Sequence, residues 1–397
     1  MANNIHVSYK LDEFSGATRY AKKTIGNNYF FLGRISKYKY LREKQLFPFF
    51  LNFIGIFGHI LNIIAERLFS NLKGEVFSFG FNLKITIFLL KRAINKYNID
   101  TIHLHWGGYN FLDTNSLFFL KDLNVKLMVV SHDYYQFTGG CHLPMDCKEL
   151  YKECKKCPRV SSYIHGYIHK NMLRKKNFYK NSDPTIIALS SYSNKIISDV
   201  TGSSSIKIGP RPNDEYFELN KESILENKQI YSNHKNDSIT MFIPGIKKST
   251  LDNKGTELII PFFLSFKKLY PTKNIVILTQ GDYIDLSQFG SQVHSIRLNH
   301  SNLKFNFRIS DLTLLFSRYE TFSQITLESI LCFTPVIAFD LTGPKDIIIK
   351  KITGFLVKFQ DVEDFARKVA ENLFYKRNNL NKIESYSIKT FKKYNKL

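Results

Sequence analysis

The stretch that decides the fold is SRYETFSQITLESILCFTPVIAFDLTGPKDII, residues 317–348. It contains Glu320 and Glu328, which are separated by seven residues, and an apolar run from Thr334 to Asp340. The spacing puts one carboxylate just before a helix and the other on its second turn, and the apolar run predicts a buried strand. Open α/β sheets bind ligands at the carboxyl ends of their strands, where a helix N-terminus offers free N–H groups to an anion. Both carboxylates can therefore face a ligand at one edge of a sheet.

Apolar runs of the same kind recur along the chain, at residues 101–106, 126–132, 185–190, 238–244, 274–281, 312–317 and 334–340. Strands that are buried on both faces form continuous apolar runs, and helices between them produce parallel sheets. A chain of 397 residues is also longer than a domain with a single hydrophobic core usually is. Residues 208–237 have little apolar periodicity, and we place the domain junction there. The sequence predicts an α/β protein with two doubly wound domains.

Composition limits the classes of function. Hydrophobic residues make up 44% of the chain and aromatic residues 15%, which excludes a disordered protein. The formal net charge of +22 favours an anionic partner such as nucleic acid, phospholipid or a nucleotide diphosphate. The chain does not open with the pattern of a secretory signal, so we expect a cytoplasmic protein.

The stretch 317–348 resembles the family 4 glycosyltransferases of the GT-B fold. The resemblance lies in the Glu320 and Glu328 pair, the apolar strand that follows it, and the turn Gly343–Asp346. It implies two Rossmann-like domains that face each other across a cleft. The first, 1–208, would bind the acceptor, the second, 209–378, would bind the nucleotide sugar, and a C-terminal helix, 379–397, would return to the first domain.

The resemblance also implies roles for particular residues. Glu320 would act as a catalytic residue at the transferred sugar, and Glu328 would hold the nucleotide ribose. Other donor-binding residues lie directly after Glu320, namely Phe322, Ser323 and Gln324. The family usually has Gly-Phe-Gly where this chain has Thr321, Phe322 and Ser323. Members of the family retain the anomeric configuration and need no cofactor for catalysis.

Two further segments resemble parts of the family that bind the donor phosphates. SGATRYA at 15–21 is similar to a glycine-rich loop, with Gly16 and Arg19 as the matching residues. IPGIKKSTLDNKGTEL at 243–258 is similar to a strand and loop whose basic residues bind the diphosphate. Lys254 matches the family's lysine, the family's companion arginine is absent, and Lys247 or Lys248 would replace it.

The N-terminal half resembles enzymes of colanic acid and related exopolysaccharide synthesis. The matching segments are IHLHW at 102–106 and SHDYYQFTGGCHLPMDC at 131–147. His132 ends a predicted strand, and the resemblance makes it a catalytic residue near the anomeric carbon. The implied activity is transfer of a sugar from a nucleotide-sugar donor to a lipid-linked or oligosaccharide acceptor. The implied process is synthesis of a bacterial capsule, O-antigen or exopolysaccharide.

Four of the five cysteines lie between residues 141 and 157, at Cys141, Cys147, Cys154 and Cys157. Four thiolates are the ligand set of a closed tetrahedral zinc site. Thiols are reactive, so four of them close together in a cytoplasmic loop indicate a specific role. We therefore predict a structural zinc ion in this loop. There are two alternatives: the four cysteines form two disulfides, or they pack in the core as small hydrophobic side chains.

The stretch from Leu46 to Ala65 carries no charged residue and approaches the length of a membrane span. Small and polar residues nevertheless recur along one side of the predicted helix, at Asn52, Gly55, His59, Asn62 and Glu66. Apolar residues lie on the other side, at Phe49, Phe53, Ile56, Ile60 and Ile64. Basic residues precede the helix at Arg34, Lys37, Lys39, Arg42 and Lys44. Two interpretations follow, an amphipathic helix on the anionic inner face of the cytoplasmic membrane and a helix that packs on the first domain.

Two other functions compete with the enzyme. The basic charge and the cysteines could belong to a zinc-containing nucleic-acid-binding protein. The cysteine spacing departs from the paired pattern of common zinc modules, and a short module would not explain two α/β domains, so we do not expect nucleic acid as a partner. A catalytically inactive relative of the glycosyltransferases is the other alternative, and the intact pair of glutamates argues against it.

Overall fold

A computed structural model describes most of the chain. The described residues are 3–11, 29–35, 45–71, 77–80, 84–112, 116, 118–119, 124–207, 209, 221–233, 238–246, 253–270, 275–289, 293–298 and 303–395. The chain divides into two compact units, Met1–Gly209 and Pro210–Leu397. The division falls inside the stretch 208–237, where apolar periodicity is weakest.

The first unit contains a parallel sheet of six strands in the order β2-β1-β3-β4-β5-β6. The strands are β1 (Asn4–Leu11), β2 (Tyr29–Ile35), β3 (Thr101–Trp106), β4 (Lys126–Ser131), β5 (Thr185–Ala188) and β6 (Ile206–Lys207). Because β2 lies on one side of β1 and the later strands on the other, the topological switch point falls between β1 and β3. Ligands of doubly wound proteins bind at the carboxyl ends of the strands beside such a point.

The described helices of the first unit are α1 (Pro48–Phe69), α2 (Ile85–Tyr97), α3 (His165–Ser182) and α4 (Ser191–Thr201). Proline at the first position begins α1, where a missing N–H costs nothing. Ser190 caps α4 by accepting a hydrogen bond from Ser193 N at 3.1 Å, and Gly202 ends that helix in the left-handed conformation. Short 3₁₀ helices lie at Tyr135–Phe137, Lys148–Lys152 and Ser162–Ile164.

The second unit contains another parallel sheet of six strands, in the order β12-β11-β10-β7-β8-β9. The strands are β7 (Ile239–Ile246), β8 (Ile275–Gly281), β9 (Val293–Leu298), β10 (Leu312–Leu315), β11 (Val336–Phe339) and β12 (Gly354–Val357). Its first strand, β7, pairs with β8 on one side and β10 on the other, so the switch point lies between β7 and β10. All four residues of β10 and of β11 are buried, as the apolar runs predict.

The described helices of the second unit are α5 (Lys221–Asn233), α6 (Ile259–Leu269), α7 (Leu303–Ile309), α8 (Gln324–Leu331), α9 (Pro344–Ile347), α10 (Val362–Glu371) and α11 (Tyr375–Asn395). Short 3₁₀ helices lie at Thr256–Leu258 and Ser287–Phe289. The C-terminal helix α11 packs on α8, where Ser387 Oγ donates a hydrogen bond to Ile330 O at 2.6 Å. The return of residues 379–397 to the first domain stays a prediction.

The α/β class with two doubly wound domains is confirmed. Each of the seven apolar runs overlaps a strand, β3 spans the same residues as its run, and β7 extends two residues beyond its run. Five strands were not predicted, namely β1, β2, β6, β9 and β12.

Candidate active site

The clearest polar site of the second unit lies at its switch point. Lys254 follows β7 and Glu320 follows β10, and these two strands are neighbours in the sheet. Lys254 Nζ lies 2.6 Å from Glu320 Oε1, and both side chains are partly exposed. Two residues that are 66 positions apart in the chain are therefore brought together where a doubly wound sheet binds its ligand.

Backbone contacts hold the loop that carries Glu320. Glu320 N donates a hydrogen bond to Thr342 Oγ1 at 3.1 Å, and Gly343 N donates one to Glu320 O at 2.9 Å. A Cβ atom at Gly343 would lie 2.2 Å from Phe322 O, so this position accepts only glycine without a backbone shift. The turn before α9 therefore fixes the loop between β10 and α8.

The start of α8 continues the same site. Phe322 and Ser323 are buried, and Phe322 packs edge-on against Tyr394, with ring centroids 5.4 Å apart. Ser323 is the N-cap in the left-handed conformation, with φ 77°, and makes no side-chain hydrogen bond to the helix backbone. Both amide atoms of Gln324, the first residue of α8, are buried and lack a hydrogen-bond partner within the described part of the chain. An unpaired buried polar group costs about 1–3 kcal/mol, which a bound ligand can recover.

The other predicted donor-binding residues are placed differently. Glu328 lies on the second turn of α8 and is fully buried. Gly16, Arg19 and Lys248 lie outside the described residues, and their roles stay predictions.

The predicted catalytic histidine of the first unit follows β4. His132 is partly buried, and its Nε2 lies 2.9 Å from His105 Nδ1 on β3. His105 Nε2 lies in turn 2.9 Å from His6 Nδ1 on β1. Burial lowers the pKa of His132 to about 4, against the opposing effect of the Asp133 carboxylate. His132 is therefore a neutral imidazole at pH 7.

A second polar network lies beside His132. His142 Nδ1 lies 2.6 Å from Asp133 Oδ2, and His142 Nε2 lies 2.7 Å from Ser78 Oγ. The order of atoms is that of a Ser-His-Asp triad, but Ser78 is fully buried and accepts a hydrogen bond from Tyr109 N at 2.8 Å. Since no substrate can reach Ser78, the network holds the loop after β4 in place.

Sequence reasoning missed His6, His105 and His142 as members of this site. A signal was available for His105, because an apolar strand that is buried on both faces has no evident place for the histidines at 103 and 105. No signal pointed to His6, since β1 itself was not predicted.

Known proteins resemble this chain in one sequence region and in the fold. Residues 287–390 match the family described as Glycosyl transferases group 1, and this region contains Glu320 and all of α8. No curated protein sequence matches the chain. The chain has the GT-B fold, and the matched region 287–390 lies within its second unit.

Solved structures of the same fold are similar to this GT-B protein over nearly the whole chain. Sucrose-phosphate synthase from Thermosynechococcus elongatus has a TM-score of 0.59 at 14% identity, covering 100% of this chain and 94% of its own. WaaG, a glycosyltransferase involved in lipopolysaccharide biosynthesis, has a TM-score of 0.59 at 11% identity, covering 99% and 95%. Anabaena HepE in complex with UDP and glucose has a TM-score of 0.58 at 13% identity, covering 98% and 96%.

The four clustered cysteines of the GT-B protein interact with one another. The pKa of Cys157 is lowered chiefly by a hydrogen bond with the Cys141 thiol. Burial and the neighbouring Cys141 raise the pKa of Cys154 to about 12. Across the described residues, which include all five cysteines, there is no disulfide and no group of three or more His, Cys, Asp or Glu side chains arranged to hold a metal ion. The structural zinc stays a prediction.

Helix α1 of the GT-B protein packs on the rest of the first unit through the side that carries Gly58 and Asn62 together with Leu51 and Ile54, whereas Asn52 of the predicted polar side is exposed. Asn62 Nδ2 donates a hydrogen bond to Phe77 O at 2.8 Å, and Asn110 Nδ2 donates one to Gly58 O at 3.0 Å. The apolar side is exposed instead, at Phe49, Phe53, Ile56, Ile60 and Ile64. By length and composition, Phe49–Phe69 is the one described helix that could cross a membrane. Of the predicted basic cluster, Arg34 lies on β2, whereas Lys37, Lys39, Arg42 and Lys44 lie outside the described residues.

Proposed function

We propose that the protein is a retaining glycosyltransferase that moves a sugar from a nucleotide-diphosphate sugar to a saccharide acceptor. The observation that carries the proposal is the Lys254 and Glu320 pair at the switch point of the second unit, with Nζ and Oε1 2.6 Å apart. A cation and a carboxylate side by side suit a donor that has an anionic diphosphate next to a sugar rich in hydroxyl groups.

The donor would use three features of this site. Lys254 and the N-terminus of α8 would bind the diphosphate, because both favour negative charge. Glu320 would accept hydrogen bonds from the sugar hydroxyls, and the Gln324 amide would find its missing partners in the donor. The complex of HepE with UDP and glucose supports a uridine nucleotide as the first donor to test.

The proposed reaction keeps the anomeric configuration. The acceptor hydroxyl attacks the anomeric carbon from the face that the diphosphate leaves, the bond from carbon to phosphate oxygen breaks, and the leaving phosphate takes the hydroxyl proton. Lys254 and the start of α8 stabilise the charge that develops on the leaving group, so no metal ion is needed. The protein supplies no covalent nucleophile in this scheme.

His132 would serve the reacting sugar as a neutral hydrogen-bonding group. Its imidazole stays uncharged at pH 7 because burial lowers its pKa to about 4. A neutral ring can donate or accept a hydrogen bond at a sugar hydroxyl without competing with Lys254 for the diphosphate.

The donor can be found by a screen of UDP-, GDP- and dTDP-sugars for slow hydrolysis by the full chain. One nucleotide class should be hydrolysed, and NMR of the first product formed should show the same anomer as the donor. The variant Glu320→Gln should lower the rate of hydrolysis by about a hundredfold or more. Hydrolysis that survives in this variant, or the inverted anomer as first product, would contradict the proposal.

The acceptor is proposed to be lipid-linked, at the inner face of the cytoplasmic membrane. Phe49 is 80% exposed and Phe53 65% exposed on α1, and Phe88 on α2 is 62% exposed. Large apolar side chains in contact with water mark an interaction surface, and the net charge of +22 favours anionic lipid. Since the other side of α1 is hydrogen-bonded to its own unit, the helix would lie on the membrane rather than cross it.

This location supports a role in surface polysaccharide synthesis, namely capsule, O-antigen or exopolysaccharide, since such acceptors are carried on membrane lipids. The similarity in fold to WaaG, which is involved in lipopolysaccharide biosynthesis, is consistent with that role.

Flotation with vesicles tests the membrane contact. The wild type should float with vesicles that contain phosphatidylglycerol and less with pure phosphatidylcholine, whereas Phe49→Ser with Phe53→Ser should stay in the soluble fraction. Leu264→Ser with Leu269→Ser is the control, because these two residues of α6 are large apolar side chains that are about half exposed but lie in the second unit. Equal flotation of both double variants would remove α1 from the contact.

A further inference from the structure

The C-terminal helix α11 is anchored at the amino edge of the second sheet. Near the start of the helix, Lys376 Nζ donates hydrogen bonds to Arg308 O and Ser310 O, both at 2.8 Å. The next residue, Arg377, forms an ion pair in which Nε lies 2.9 Å from Asp311 Oδ1. All three partners come just before β10 in the chain. The start of α11 is therefore fixed at the edge of the sheet opposite the candidate donor site.

The last turn of α11 lies at the carboxyl edge, against the loop between β10 and α8. The ring of Tyr394 packs edge-on against Phe322, with ring centroids 5.4 Å apart. The Tyr394 hydroxyl donates a hydrogen bond to Asp346 O on α9 at 3.3 Å. Because Tyr394 is buried, the pKa of its hydroxyl is raised, and the group stays a neutral donor. One side chain therefore contacts both the loop after β10 and the short helix after β11.

Phe322 lies between the two groups that the proposed donor would meet. Glu320 comes two residues before it, and Gln324, whose buried amide has no hydrogen-bond partner within the described part of the chain, comes two residues after it. Two hydrogen bonds of the Glu320 backbone already join this loop to the turn before α9. Since the loop is short, a shift of the Phe322 ring would move both the carboxylate and the start of α8.

The loop also contains a strained residue. Ser323, which follows Phe322, has φ 77°, in the left-handed region that residues other than glycine rarely adopt. Its hydroxyl lies 2.8 Å from Thr326 Oγ1 and does not cap the backbone of α8. Strain of this kind persists only where the surrounding structure holds the backbone in place. The contact between Phe322 and Tyr394 supplies such support directly beside the strained residue.

We propose that Tyr394 is a positioning residue for the donor site. Its ring holds Phe322, and thereby fixes the Glu320 carboxylate and the start of α8 in the geometry that receives the nucleotide sugar. The last turn of the C-terminal helix thus belongs to the support of the site, although it touches no substrate. The part that concerns the donor rests on the proposed function, and the part that concerns the hold on the loop does not.

Hydrogen exchange of the full chain, measured by mass spectrometry, tests the hold on the loop. In Tyr394→Ala, peptides that cover residues 320–324 should exchange about tenfold faster or more, because the ring contact with Phe322 is lost. Tyr394→Phe should keep the exchange rate of the wild type, since its ring still packs on Phe322. An unchanged exchange rate in Tyr394→Ala would overturn the proposal, as would a Tyr394→Phe variant that exchanges as fast as Tyr394→Ala.

The matched control is Tyr386→Ala. Tyr386 is a partly buried tyrosine about two turns earlier on α11, and its ring centroid lies 4.4 Å from Lys389 Nζ. This variant should leave the exchange of residues 320–324 unchanged, and circular dichroism verifies that each variant is folded. Equally fast exchange in Tyr386→Ala and Tyr394→Ala would show a general loosening of α11 and would overturn the specific role of Tyr394.

Donor affinity gives the second readout. Tyr394→Ala should raise the Kd of the identified nucleotide sugar by about tenfold, whereas Tyr394→Phe and Tyr386→Ala should stay within about twofold of the wild type. Faster exchange of the loop with an unchanged Kd in Tyr394→Ala would overturn the positioning role. A wild type that binds no nucleotide sugar would count against the proposed function instead, and the exchange rates would still decide whether Tyr394 holds the loop.

Discussion

The two units place polar groups at their switch points in opposite ways. In the second unit, Lys254 and Glu320 are charged, partly exposed and carried on loops. In the first unit, His6 and His105 are neutral, buried and carried on the strands themselves. A charged pair on loops can change partners when an anionic diphosphate arrives, whereas buried neutral rings can only hold one geometry. Under the proposed function, this difference would make the second unit the part that binds the charged donor and the first unit the part that orients the reacting groups.

The largest expected effect comes from the charged pair. Glu320→Gln keeps the shape of the side chain but removes its charge, and should lower kcat by about 10²–10³-fold, the usual loss for one positioned group at a reacting centre. Glu257→Gln is the control, because Glu257 pairs with Arg318 on the same side of the sheet and is more exposed. Steady-state kinetics with the identified donor would measure kcat for both variants. Equal activity of the two variants would remove Glu320 from the site.

A smaller effect is expected from the turn that holds the Glu320 loop. Gly343→Ala would put a Cβ atom 2.2 Å from Phe322 O, so the loop must shift, and both donor affinity and stability should fall. Gly166→Ala is the matched control, because its Cβ would meet nothing within 4 Å on α3, where alanine stabilises a helix by up to about 1 kcal/mol. Urea unfolding would measure the stability of both variants, and donor titration would measure their donor affinity. Gly343→Ala with normal donor affinity would mean that the turn does not position the loop.

The neutral histidines predict that the stability of the first unit depends on pH. The pKa of His103 and of His132 is lowered to about 4 by burial, from an ordinary 6.5. The unfolded chain therefore binds more protons below pH 6.5, and the free energy of unfolding should fall as pH decreases from 6.5 towards 4. Trp106 fluorescence reports the first unit alone. None of the described histidines with a lowered pKa lies in the second unit. An unfolding transition of Trp106 fluorescence that is independent of pH would contradict the burial of these rings.

The smallest expected effect on activity belongs to the cysteine loop. Metal analysis of protein purified without chelator should find about one zinc per chain, and Cys154→Ser should lose it. Cys332→Ser is the control, since Cys332 is equally buried but lies in the second unit. Absence of zinc together with four titrating thiols between 141 and 157 would leave the alternative of cysteines that pack as small hydrophobic residues.

The sequence predicted the parts of the fold that follow from continuous apolar runs. β10 and β11 were found because every residue in them is buried and all but Thr313 are apolar. β1 was missed because His6 and Ser8 interrupt its apolar residues, although both are fully buried. One of the two polar residues that hide this strand from sequence patterns, His6, is hydrogen-bonded to His105 in the candidate site.

Prediction of the site was limited in the same way, to features that a local sequence pattern shows. Glu320 was predicted because the residues around it resemble a known family, and Lys254 was predicted because it lies next to a glycine in a similar segment. Lys254 and Glu320 form a pair because β7 and β10 are neighbours in the sheet, although the two strands lie far apart in the chain. A local sequence pattern does not show which strands are neighbours. For α1 the sequence predicted the two faces, but which face meets the protein follows only from hydrogen bonds such as that of Asn62 to Phe77 O.

Calorimetric titration of the identified nucleotide sugar into Lys254→Met and His132→Gln tests the proposed function most directly. Lys254→Met should weaken donor binding by about tenfold or more, because it removes a cation from the diphosphate. His132→Gln should bind the donor with a Kd close to that of the wild type and yet turn over about a hundredfold more slowly. Unchanged binding in Lys254→Met, or loss of donor binding in His132→Gln alone, would contradict the division of roles between the two units.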